Sequence, residues 1–140
     1  MIQFFCEDIK FNLSQKRFHK TWIKQIAESE HRTLGDLNII FCSDRYLLEL
    51  NQKYLSHETF TDIITFDYGE ASKISGDIFI SIDRITENAV VFKVNFEEEL
   101  LRVIAHGVLH LCGYKDKQKA DKTLMTEKEN NSIELFKLLK

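Results

Sequence analysis

Two histidines and one aspartate, in the run His106-Gly107-Val108-Leu109-His110-Leu111-Cys112-Gly113-Tyr114-Lys115-Asp116, have residue types and a spacing that suit a metal ion. Histidines four apart on a helix lie about 40° apart around its axis, so both rings can reach one cation from the same side. The chain must then turn back. Gly113 permits a tight reversal, and three residues later Asp116 can bring a carboxylate to the same ion. Three protein ligands leave a coordination position for water, the arrangement of a catalytic rather than a closed structural site. An isolated pair of this kind can equally be two ordinary histidines of an amphipathic helix. The glycine and the oxygen ligand at fitting positions favour the metal.

The pattern H-x3-H-x2-G-x2-D has the ligand positions of the metzincin peptidases, with Asp in place of the last His. In such enzymes the residue after the first His is a Glu that serves as general base, and here it is Gly107. Peptide hydrolysis by that route is therefore disfavoured. Cys112 points away from both histidines on the same helix and is read as core.

The elements that must position these residues follow from period and capping. Asn95 with Glu98 three residues on is an Asn version of a capping box, and Glu97, Glu98 and Glu99 suit the positive end of a helix dipole, so a helix is expected to about Cys112. A further helix is expected over Ala120 to Leu139, with Leu124, Ile133, Phe136 and Leu139 inward. Upstream, the pattern predicts a strand over Ile2 to Cys6 and a helix over Ser14 to His31 with Phe18, Trp22, Ile23 and Ile26 as its stripe. After a break at Gly35, Asp36 to Cys42 alternates as a strand, and Ser43 caps a helix from Asp44 to about Tyr54. Strands over Thr61 to Phe66 and Gly76 to Ile82 flank a loop at Asp67 to Ser75, and Asp83 caps a short helix through Phe92. The elements lack a regular βαβ rhythm. An α+β fold is expected, with a small four-stranded mixed sheet, about five helices and the H-x3-H pair on one of them.

Composition narrows the class. A chain of 140 residues with 44% hydrophobic residues can build one core, so residues 1–140 are expected to form a single domain. No apolar run approaches the roughly 18 residues of a membrane span, and the opening residues lack the features of a signal peptide. A cytoplasmic location, with no membrane partner, is expected. Cys6, Cys42 and Cys112 form no C-x-x-C pair and are expected to be reduced and buried. The net charge of -3 offers no general basic field for nucleic acid, so any RNA must meet a local patch.

The run from His106 to Tyr114 resembles the signature H-G-x-L-H-L-x-G-Y-D-H of the YbeY family of metal-dependent endoribonucleases, or rRNA maturation factors. Three further blocks resemble that family in the right order. Leu50-Asn51-Gln52-Lys53-Tyr54-Leu55 followed by Thr61-Asp62-Ile63-Ile64-Thr65-Phe66 is similar to L-N-x-x-Y-R and T-[DN]-[VI]-[LI]-[ST]-F. Gly76-Asp77-Ile78-Phe79-Ile80-Ser81 is similar to G-D-I-x-I-S, and Met125 to Glu129 to M-x-x-x-E. The resemblance implies cleavage of single-stranded RNA near the 3′ end of small-subunit rRNA, with the small ribosomal subunit and assembly factors as partners, and a role in ribosome quality control. Two departures touch the site. The third ligand His of the family is Asp116 here, with Lys115 where its Asp stands, and the Arg of the upstream block is Leu55.

A carboxylate in place of an imidazole lowers the summed charge of ion and ligands by one, which weakens the ion as a Lewis acid unless neighbours withdraw charge from Asp116. Lys115 and Lys117 flank it but read as solvated. Asp62 and Asp77 are candidates to orient a ligand His through its second nitrogen, His57 to meet phosphate, and Arg102, four residues before His106, to face the cleft. No general base stands out. One zinc ion on a monomer is expected, although two imidazoles and a carboxylate also admit iron, nickel or manganese. The alternative to an endoribonuclease is a non-catalytic ribosome-assembly factor with a structural metal, to which Leu55 and the acidic net charge lend weight.

Overall fold

Alternating strands and amphipathic helices assemble, in a computed structural model that describes residues 1–55 and 61–140, into a four-stranded mixed sheet with five helices. The elements in chain order are β1 (Ile2–Cys6), α1 (Lys16–Ser29), β2 (Thr33–Cys42), α2 (Asp44–Leu55), β3 (Ile63–Asp67), β4 (Lys73–Ser81), α3 (Ile82–Phe92), α4 (Phe96–Leu111) and α5 (Lys119–Leu139). The spatial order is β1-β2-β4-β3, with β1 and β4 parallel to β2 and β3 antiparallel to β4. This is the α+β architecture expected from the residue pattern.

Period two along the strands divides the core between the faces of the sheet. Leu37, Ile39, Phe41, Ile74, Ile78 and Ile80 join Trp22, Ile26, Ile104, Val108 and Phe136 in the main core under α1, α4 and α5. Ile64, Phe66 and Phe79 face the other way, against Leu47 and Leu50 of α2. The Trp22 indole donates to the Ser132 carbonyl at 2.8 Å and ties α1 to α5 inside the core. The helix that carries the two histidines thus lies against the sheet, with β3 and β4 beneath it.

Caps fix where the helices begin. The Asn95 side chain accepts from the Glu98 N–H at 2.8 Å, and the Ser43 hydroxyl accepts from the Tyr46 N–H at 3.1 Å. Asn95→Ala should cost about 1 kcal/mol, read as a lower denaturation midpoint with an unchanged denaturant slope.

Several expectations shift. The cap of α3 is Ser81, whose hydroxyl accepts from the Arg84 N–H, and Ile82 opens that helix rather than closing β4. Asp83 instead accepts from the Asp44 N–H at 2.9 Å and serves the start of α2. Gly35 does not break β2. It lies in a register irregularity of that strand, where a Cβ would come within 2.0 Å of the Ser75 hydroxyl and 3.2 Å of the Ile74 carbonyl oxygen, so a larger residue would have to turn the Ser75 side chain aside. Both strands therefore begin earlier than alternation suggests. Leu124 is 42% exposed, and Met125 takes the inward place in phase with Glu129, Ile133 and Phe136. Cys6 is exposed, while Cys42 and Cys112 are buried as expected.

Candidate metal centre

His106 and His110 stand one turn apart near the C-terminal end of α4, and their half-buried rings meet edge to face with centroids 4.5 Å apart. The chain leaves α4 through Gly113, whose φ of +106° is costly for any residue with a Cβ. That reversal returns Asp116 to the helix. Its Oδ2 lies 3.2 Å from His106 Nε2 and 3.3 Å from His110 Nε2. A tetrahedral zinc with ligands at about 2.0–2.1 Å separates its donors by about 3.3–3.4 Å, so these spacings suit one shared ion. Among the described residues, His106, His110 and Asp116 are the group of three able to hold a cation.

The orientation of the rings supports the same reading. His106 Nδ1 donates to Glu129 Oε2 at 2.5 Å, and His110 Nδ1 donates to the Tyr114 carbonyl at 2.9 Å. With the protons held on Nδ1, each Nε2 turns a lone pair toward Asp116. Two lone pairs aimed at a carboxylate repel unless a proton or a cation lies between them. Burial drives the His106 imidazole toward its neutral form, but the Glu129 hydrogen bond and charge, with Asp116 and Asp62 adding theirs, leave its pKa above the ordinary value. This is a cradle built for positive charge.

Glu129 comes from α5, and its other oxygen receives Arg102 Nη1 at 3.0 Å, while Arg102 Nη2 reaches Asn130 Oδ1 at 2.7 Å. Arg102, partly exposed, turns toward α5, where it fixes the carboxylate that orients His106. Glu129→Ala should weaken zinc binding about 10–100-fold in a chelator competition, since it frees the ring and its tautomer.

The candidates for that orienting role are displaced by these contacts. Asp62, just before β3, lies beside His106 without taking its Nδ1 proton; burial raises its carboxyl pKa, and the charges of His106 and Arg84 partly oppose the rise. Asp77 projects from β4 on the α2 face, opposite α4, where its Oδ1 accepts from Asn38 Nδ2 at 3.0 Å. Alternation beside the inward Ile78 puts it there. His57 lies outside the described residues. Lys115 and Lys117 are exposed, and neither pairs with Asp116 among the described residues. Burial lifts the Cys112 thiol to about 11, consistent with a core group rather than a thiolate ligand.

Glu99, one of three acidic residues expected on the first turn of the helix, is 3% exposed. Burial, reinforced by Asp62 and Glu129, pushes its pKa from 4.5 to about 7. The folded chain then holds this proton more tightly than the unfolded one, so stability falls as pH rises from about 4.5 to 7. Glu99→Gln should flatten that fall and stabilise the protein by on the order of 2 kcal/mol at pH 8, measured by urea denaturation at both ends of the window.

Comparison with known proteins gives one consistent answer. A family model described as endoribonuclease YbeY matches residues 2–137. A protein named endoribonuclease YbeY from Flavobacterium psychrophilum is 52% identical over 132 residues, 94% of either chain. Another of that name, from Cytophaga hutchinsonii, is 50% identical over 137 residues, 97% of this chain and 96% of that one. The solution structure of a Thermotoga maritima protein superposes with a TM-score of 0.65 at 30% identity, covering 97% of this chain and 89% of the other.

Proposed function

The chain belongs to the YbeY endoribonuclease family, and from that premise we propose that it is a metal-dependent hydrolase that cleaves single-stranded RNA, with His106, His110 and Asp116 holding one zinc ion. The observation that carries the reading is the convergence of two Nε2 atoms on one carboxylate oxygen, each at tetrahedral spacing from it, with both Nδ1 protons engaged behind them. The resemblance supports small-subunit rRNA 3′ end maturation and ribosome quality control as the setting, in the cytoplasm, by a single-domain monomer that meets the small subunit and its assembly factors. Among the described residues no helix is long and apolar enough to cross a membrane.

When bound, the ion would supply Lewis acidity toward a phosphoryl oxygen and offset the negative charge developing on the phosphoryl oxygens. The chain's own residues prepare for that role. Glu129 and the Tyr114 carbonyl keep the imidazole protons on Nδ1, so neither ring must reorganise when the cation arrives. Arg102 keeps Glu129 in place and neutralises its charge. Asp62 adds a further carboxyl beside His106, its pKa raised by burial.

The test is incubation of purified protein with a single-stranded RNA carrying a small-subunit 3′ precursor sequence, with and without chelator. Cleavage that chelator stops and added zinc restores is expected; cleavage indifferent to chelator would remove the metal from the account. A second reading draws on Leu55, which is 45% exposed at the end of α2 where the family pattern has Arg. Without that cation the chain would serve as a ribosome-assembly factor with a structural ion. It predicts small-subunit association that survives His110→Ala, with no turnover of RNA.

A further inference from the structure

The two histidines are held by unequal partners. His106 rests on a side-chain carboxylate that is itself fixed by a guanidinium, whereas His110 rests on the main-chain carbonyl of Tyr114. A carbonyl orients a ring only as firmly as its own segment is held, and Tyr114 follows the left-handed Gly113 outside any helix or strand. Its N–H donates to the Leu109 carbonyl at 3.1 Å, and its side chain adds a second anchor. The Tyr114 hydroxyl donates to Glu30 Oε1 at 2.5 Å, and Lys128 Nζ donates to Glu30 Oε2 at 3.2 Å. The Lys128 ammonium also stands 5.5 Å from the Tyr114 ring centroid, a cation–π distance. Glu30 caps the C-terminal end of α1, and Lys128 precedes Glu129 on α5. The Arg32 guanidinium adds a bond to the Cys112 carbonyl at 2.9 Å.

We propose that Tyr114, clamped by Glu30 and Lys128, is a positioning residue for the metal: the clamp holds the carbonyl that fixes the tautomer and ring plane of His110, and with it the return of Asp116 two residues later. The inference rests on the ligand set read above. None of the three clamp side chains is a donor to the ion. Their influence passes through the backbone of residues 113–116, so it should be smaller than that of a group bonded directly to a ligand.

Tyr114→Phe keeps the ring and the carbonyl and deletes only the hydroxyl; Glu30→Gln keeps an acceptor but deletes the charge that recruits Lys128. Zinc affinity is measured by competition with a chromogenic chelator, and the imidazole tautomers by nitrogen–proton correlation spectra of the zinc-free proteins. In the unaltered chain both histidines should be protonated on Nδ1, with one zinc bound. Tyr114→Phe should weaken zinc binding about 3–10-fold, below the range for direct partners of a ligand. It should also shift His110 toward a mixture of tautomers while His106, still held by Glu129, keeps its own. Glu30→Gln should show the same pattern with smaller amplitude. Unchanged affinity and tautomer in both variants would overturn the clamp, and so would equal disturbance of His106 and His110, which would mark general loosening. Failure of the unaltered chain to bind zinc at all would overturn the ligand set as well.

Discussion

His110→Ala is expected to reduce RNA cleavage to the background rate and to weaken zinc binding by at least about a hundredfold, while the chain stays folded. The first part follows from geometry. Nε2 of His110 is one of three donors, and a two-donor remnant cannot hold the ion against water at ordinary concentrations. The second part follows from position. His110 is only partly buried near the end of α4, and alanine is the stronger helix former, so the loss of one ring leaves helix and core intact. Thermal unfolding near the unaltered midpoint together with lost turnover is the predicted result. Retained cleavage in the metal-depleted variant would place the chemistry elsewhere on the molecule.

Gly107→Glu is the other substitution with a large effect, and it acts on the fold. It would restore the Glu that peptidases carry after their first His, yet residue 107 faces the sheet rather than the cleft. A Cβ there would meet Ile63 Cδ1 at 2.8 Å and Ile78 Cγ2 at 3.0 Å. The glycine is what lets α4 settle onto β3 and β4. Overpacking costs about 1–3 kcal/mol, and an unpaired carboxylate forced between two isoleucines adds several more. We expect a loss of about 4 kcal/mol or more, which lowers the melting temperature by roughly 10 °C or prevents folding. Peptidase activity in a stably folded Gly107→Glu chain would contradict this placement.

Much of the site could be read along the chain because its main features are local. Two histidines one turn apart, a glycine stop and an acidic residue beyond it all lie within eleven consecutive positions, and the Asn95 cap marks the start of the helix beneath them. What supports the ligands is not local. Glu129 lies 23 residues after His106, and before folding its sole trace is the terminal M-x-x-x-E resemblance. Glu30 lies 84 residues from the tyrosine it holds, and no period or cap connects the two. Asp77 shows the opposite case. The inward Ile78 and Ile80 already imply that their polar neighbour faces away from α4, so its place on the far side of the sheet was legible in the alternation. Ser81 and Asp83 both satisfy the chemistry of a cap, and the packing of α2 against α3 decides which helix each one serves.

Zinc-edge X-ray absorption on the chain loaded with one equivalent of zinc tests the convergence directly. Nitrogen and oxygen neighbours at about 2.0–2.1 Å with the outer-shell scattering of two imidazoles are expected, a signal lost in His110→Ala, which cannot hold the ion. A sulfur shell near about 2.3 Å, or an all-oxygen shell without imidazole, would show that His106, His110 and Asp116 do not share an ion.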